Sequence, residues 1–170
     1  MEYTVKVDKD GTVRYYKPGT NIRHRLDGPA IVWNSGDEDW FMNDKLHRED
    51  GPAIMYDDGS EAWYKEGLLH REGGPAISNT DGTECWYVND QLHREDGPAV
   101  VDRTGHKAWY KAGERHREDG PAVEYIDGKM EWWIDDEQLS KKEFENRTKE
   151  AKVRTFTVPA NTTQIRIQLE

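Results

Sequence analysis

Large apolar residues are scarce in this sequence. Leu, Ile, Val and Phe number 28 of 170 residues, charged residues make up 34%, and the formal net charge is −10. That balance taken alone favours disorder. No stretch approaches the ~18 consecutive apolar residues of a membrane-spanning helix. There is one cysteine, Cys85, which excludes an intramolecular disulfide and fits a reducing compartment. The first residues lack the basic and apolar regions of a secretory signal, so the sequons at Asn146 and Asn161 read as chance and a cytoplasmic location is expected. A surplus of basic residues is missing too, with 24 Lys and Arg against 34 Asp and Glu. Direct binding to nucleic acid or to an anionic membrane is therefore not expected. Dinucleotide-binding, phosphate-loop, Cys-x-x-Cys and His-Glu-x-x-His patterns are all lacking, so no catalytic residue, metal or cofactor is expected. Asp8-Lys-Asp10-Gly11 begins like a calcium loop but has no Glu in register, and reads as a hairpin turn.

What is abundant is aromatic residues and repetition. Seven Trp and eight Tyr are too many for a solvated tail. The tract HREDGPA, with variants, places His at 24, 47, 70, 93 and 116, each step being 23 residues. Trp follows at 40, 63, 86, 109 and 132, with Phe41, Tyr64, Tyr87, Tyr110 and Trp133 next to it. A fixed period of this size marks a repeat architecture.

Each unit reads as a hairpin. A short Ala-Ile/Val strand leads to an Asp-Gly type turn and then to an aromatic strand through the Trp. The Pro of the tract lacks an N–H and suits a strand start. This predicts about two strands per unit, ten in the array. The fold class is mainly β: an elongated, single-layer antiparallel hairpin array. Residues 1–23 form a degenerate N-terminal hairpin cap and 24–138 the five units. Residues 139–170 form a C-terminal cap, with a helix from about 141 to 151 and strands over 153–158 and 164–170. Ser140 and Glu143 form a capping-box pattern at the helix start. Columns of Trp, Tyr and Ile/Val stand in for a deep core, and each unit contacts only its neighbours.

The run Trp63-Tyr64-Lys-Glu-Gly67-Leu-Leu-His70, with the 23-residue period, resembles MORN repeats over about residues 10–138. The HREDGPA tract and the Leu-Ser-x-x-Glu-Phe segment at 139–144 resemble a variant found in bacteriophage and large-virus proteins of unassigned role. The chain departs from the standard unit, which has His-Gly-x-Gly where the tract stands. The resemblance implies a noncatalytic interaction or scaffolding protein, with counter-defence, host takeover or antitoxin and immunity roles among those of its relatives.

Several columns are candidate sites. His24, His47, His70, His93 and His116 invite a metal, but zinc ligands lie ~2.0–2.1 Å from the ion and equivalent atoms of adjacent units roughly 10 Å apart. The His is expected instead to fix its loop by hydrogen bonding, with Asp27, Asp50, Asp96 and Asp119 as possible partners. Arg25, Arg48, Arg71, Arg94 and Arg117 form either a ladder neutralised by neighbouring carboxylates or a row of donors to anions. Together with His47, His70, His93 and His116 they are the candidate anion-binding residues, and a small anion or nucleotide held between units is the alternative function. Trp40, Trp63, Trp86, Trp109 and Trp132 should face opposite to Tyr64, Tyr87 and Tyr110, so that one column is either covered or offered to a partner. The expected partner is a basic protein, because residues 1–138 carry 17 Lys and Arg against 30 Asp and Glu. A homo-oligomer through a C-terminal strand edge is also expected as a possibility of the last hairpin.

Overall fold

The computed structural model describes residues 2–154. Its spine is one antiparallel sheet of 13 strands. The sheet opens with the hairpin Thr4–Val7 and Val13–Tyr16. It continues through Ile31–Val32 with Glu38–Asp39, Ile54–Met55 with Glu61–Ala62, Ile77–Ser78 with Glu84–Cys85, and Val100–Val101 with Lys107–Ala108. Val123–Glu124, Met130–Ile134 and Glu137–Leu139 close it. Strands follow one another in chain order, so each unit advances the sheet by two strands, about 10 Å at the usual strand spacing. The β-hairpin array read from the sequence is the fold observed.

Each of the first four units contains four short strands rather than the two expected, and the fifth contains three. The second pair forms a separate small hairpin: Phe41–Met42 with Lys45–Leu46, Tyr64–Lys65 with Leu68–Leu69, Tyr87–Val88 with Gln91–Leu92, and Tyr110–Lys111 with Glu114–Arg115. The Trp divides the two pairs. The backbone N–H of Trp40, Trp63, Trp86 and Trp109 donates to the carbonyl of Ala53, Ala76, Ala99 and Ala122 in the next unit, at 2.7–2.8 Å. The carbonyl of the same Trp accepts the N–H of His47, His70, His93 or His116. Its peptide groups are thus taken by the following unit, and the chain leaves the large sheet there. Trp132 has no following unit, and the strand Met130–Ile134 runs through it unbroken.

Two kinds of turn close these hairpins. In the large ones a three-residue loop ends in a left-handed Gly, as where Tyr56 N–H donates to Ser60 and Gly59 N–H donates to Tyr56. Gly59 has φ of 88°, the conformation that a type I turn with a bulge needs. The small hairpins turn on two residues that both have positive φ, including Asn43-Asp44, Asn89-Asp90 and Asp135-Asp136. Asn and Asp tolerate that region better than other side chains.

The core is a row of small side chains. Ala30, Ala53, Ala76, Ala99 and Ala122 are fully buried, and Ala62, Ala108, Ile31, Val123 and Phe41 nearly so. The scarcity of large aliphatics fits a core whose fully buried apolar side chains are, among the described residues, all alanines.

The helix spans Lys141–Arg154. It runs three residues past the expected end, so Val153 and Arg154 are helical and not part of a strand. Its capping box is formed: Ser140 N–H donates to Glu143 Oε2 at 2.8 Å, and Glu143 N–H donates to Ser140 Oγ at 3.3 Å. Phe144 is buried where the helix meets the last two strands. The strands expected over 155–158 and 164–170, and with them the edge for oligomer formation, lie outside the described residues.

Candidate functional site: the joint between units

Every residue of the HREDGPA tract has a place in the joint. The Arg guanidinium lies flat on the Trp of the preceding unit. Arg48 is 3.9 Å from the Trp40 ring centre, Arg71 3.9 Å from Trp63, Arg94 3.8 Å from Trp86 and Arg117 4.0 Å from Trp109. Arg25 takes the same position on Tyr15. The other face of the guanidinium meets the Gly of the tract. A Cβ on Gly51 would stand 2.6 Å from Arg48 Cζ, and one on Gly74 2.9 Å from Arg71 Cζ. Any side chain there would displace the cation, which explains Gly at this offset.

The guanidinium edges are also engaged. In all five units Nη1 donates to the carbonyl of the tract Pro, at 3.0–3.3 Å. In four units Nε donates to the Asp two residues on: Asp27 at 3.0 Å, Asp50 at 3.1 Å, Asp96 at 2.8 Å and Asp119 at 2.7 Å. The Arg hydrogen bond holds the Asp27 and Asp96 carboxyls below their ordinary range. These Asp side chains therefore serve the Arg, not the His. In the third unit Gly73 stands where the Asp would be, and Arg71 has no ion pair among the described residues.

The His Nδ1 holds the small-hairpin turn of its own unit. His24, His47 and His93 accept the backbone N–H of Asn43, Glu66 and Ala112 at 3.3, 3.1 and 3.0 Å. At His70 and His116 the partner is a side-chain oxygen, Asn89 Oδ1 at 2.9 Å and Asp135 Oδ1 at 2.6 Å. In the four units that have the Glu, the far nitrogen points towards it, from 3.1 Å at Glu49 to 3.9 Å at Glu72 and Glu95; Leu26 stands there in the first unit. For His24, burial and then the charge of Lys17 lower the pKa. No group of three metal-ligating side chains occurs among the described residues.

The Trp and Tyr columns have different surroundings. Trp40, Trp63, Trp86 and Trp109 are half-buried beneath the Arg of the next unit. The indole N–H groups of Trp40, Trp63 and Trp86 are buried with no acceptor among the described residues, so stacking and apolar contact hold these rings. Trp132 is half-buried within the last long strand. Tyr64, Tyr87 and Tyr110 are half-exposed, and Tyr87 lies within electrostatic reach of Cys85 and Tyr110. The strand register aligns Ile54, Ala62, Ile77, Cys85, Val100, Ala108 and Val123 as successive neighbours. Antiparallel partners point to one face, so these residues form an apolar row. Exposed aromatics occur at the loop side instead: Trp33, Tyr56 and Tyr125.

Sequence reasoning identified the Arg, His and Trp columns but not their mutual closure. The roles of Gly51 and its equivalents, and of the Pro carbonyl, were missed. Their constant offset from Arg was the available signal.

These joints and the continuous sheet define a β-hairpin repeat protein in which the repeated polar residues connect units. No family model and no curated protein matches the chain.

Proposed function

We propose that the protein is a noncatalytic scaffold that binds another protein through one face of its sheet. One observation carries this reading: the repeated chemistry-bearing side chains are turned inward onto neighbouring units. Four of the five tract guanidiniums have both faces and two edges engaged, and the His rings are spent on turns. Groups held this way support a frame more readily than a reaction. The apolar row Ile54, Ile77 and Val100 stays half-exposed, as do Tyr64, Tyr87 and Tyr110, and aromatic and aliphatic surface of that kind suits a protein partner. The acidic array favours a basic partner. The Trp column belongs to the joint and contributes indirectly, by setting the spacing of units. The resemblance to MORN-like proteins adds a setting: a counter-defence, host-takeover or immunity factor acting on a cognate protein in the cytoplasm. No helix of the described residues is long and apolar enough to cross a membrane.

The test is affinity capture from host-type lysate by the intact chain and by a Tyr87→Ser, Tyr110→Ser chain, with mass spectrometry. A stoichiometric protein captured by the first and lost by the second agrees with the proposal. Failure of the intact chain to retain any protein, or equal retention by both chains, contradicts it.

A further inference from the structure

The third unit departs from the other four at one contact. Arg25, Arg48, Arg94 and Arg117 each donate from Nε to an Asp carboxylate at 2.7–3.1 Å. Arg71 makes the rest of the arrangement, with Trp63 beneath it at 3.9 Å and the Pro75 carbonyl at 3.0 Å. At the Asp position stands Gly73, and a Cβ built on it would meet nothing within 4 Å. The backbone there is left-handed, with φ of 73°, and no side chain takes the place beside Arg71 that the Asp carboxylate takes beside the other four Arg. Glu72 does not replace it, because its carboxylate is directed at His70 Nε2, 3.9 Å away, as Glu95 is directed at His93.

The surroundings favour an anion. A cleft of 410 Å³ is lined by Arg48, Lys65, His70 and Arg71, by Glu49 and Glu72, and by the rings of Trp63 and Tyr64. Lys65 has no ion pair among the described residues and is exposed. The carboxylate of Glu49 lies against His47 at 3.1 Å and is 75% exposed, and Glu72 is 91% exposed, so both can turn to water while the stacked guanidinium stays in place. A guanidinium fixed on both faces offers its Nε edge in one orientation, which suits a planar two-oxygen acceptor.

We propose that the Arg71 cleft binds an oxyanion, a carboxylate or phosphate group whose oxygen takes the place that Asp takes in the other units, with Lys65 as the second cation. This goes beyond the scaffold reading and does not depend on it, since the site lies on the Trp and Arg side of the joint and needs no protein partner. Two sources can supply the group: a free small anion, or an acidic side chain presented by a peptide.

The experiment follows the side-chain Nε–H resonances of the full chain by nitrogen-15 NMR at low salt. The probes are acetate, inorganic phosphate and an N-acetyl-aspartyl-glycine amide. The expected result is a saturable shift at Arg71 in which Arg94 and Arg117, outside the cleft, do not share. Gly73→Asp supplies the carboxylate internally and should remove saturation, moving the Arg71 resonance towards those of Arg48 and Arg94. Because φ at Gly73 is 73°, that variant asks the loop to take the shape of its neighbours. Lys65→Ala, on the exposed surface, is the second variant and should weaken binding several-fold. Tenfold tighter binding of the peptide than of acetate assigns the group to a polypeptide, and tighter binding of phosphate assigns it to a free anion; either supports the site. An unmoved Arg71 with all three probes, parallel shifts at Arg94 and Arg117, or unchanged binding by both variants would overturn it.

Discussion

The guanidinium of Arg94 lies 3.8 Å from the ring centre of Trp86, and the two residues come from successive 23-residue units. A cation on an indole is worth ~0.5–1 kcal/mol at exposed sites and ~2 where desolvated. Repeated at Arg48, Arg71 and Arg117, the contact becomes a set of identical joints along an array with almost no large core residues.

The tightest dimension of that joint is at Gly51. Gly51→Ala places a methyl group 2.6 Å from Arg48 Cζ and should cost about 1–3 kcal/mol by overpacking. In an Arg48→Ala background the same change should cost much less, because the atom it strikes is gone and the two sites are coupled. Urea melts of the two single variants and the double variant measure the difference. Additive costs would show that the Gly answers some other demand.

The His column should hold two tautomers. At His24 and His93, Nδ1 accepts a backbone N–H, so the neutral ring carries its proton on Nε2. At His70 and His116 the Nδ1 partner is an oxygen, so Nδ1 carries a proton. Long-range proton–nitrogen spectra at neutral pH distinguish the two sets. One tautomer throughout the column would contradict the assignment.

Acid should weaken the array. The carboxyls of Asp27 and Asp96 are lowered first by hydrogen bonds from Arg25 and Arg94, and that of Asp136 by the Arg115 backbone and side chain. The unfolded chain, with Asp near ~3.9, then takes up protons before the folded one does. The stability these groups give is present above about pH 4 and is lost as pH falls through their lower folded values. Urea midpoints across that interval should fall with pH, and a flat profile would remove these pairs from the account.

The cap should protect the last unit most. Phe144→Ala removes a buried ring and should cost about 3–5 kcal/mol if the site cannot collapse. Hydrogen exchange should quicken first in 130–139, which the helix touches. Uniform quickening from Thr4 onward would show that the array opens as a whole.

Period, hairpin character and the capping box at Ser140 were legible because each depends on local chemistry repeated at fixed spacing. The break at Trp was not. Aromatic propensity predicts a strand through Trp63, whereas the N–H of that residue is claimed by Ala76, a contact set by the neighbouring unit. The His partners were half legible: their structural role was foreseen, but not that Arg48, stacked on Trp40, takes Asp50 while His47 faces Glu49. Gly73 was visible as a departure from the pattern, and only the contacts of Arg71 give it meaning.

If the tract is a joint between equivalent units, one period can be removed without loss of the fold. Excision of residues 80–102 joins Asn79 to Arg103 in the same repeat position. It deletes the Trp86–Arg94 joint and keeps those at Arg48, Arg71 and Arg117. The shortened chain should give the same β-type circular dichroism and a cooperative urea transition, with a slope lowered in proportion to the surface lost. An unfolded or aggregated product would contradict the account, because units that cannot be exchanged are not joined by a common repeated contact.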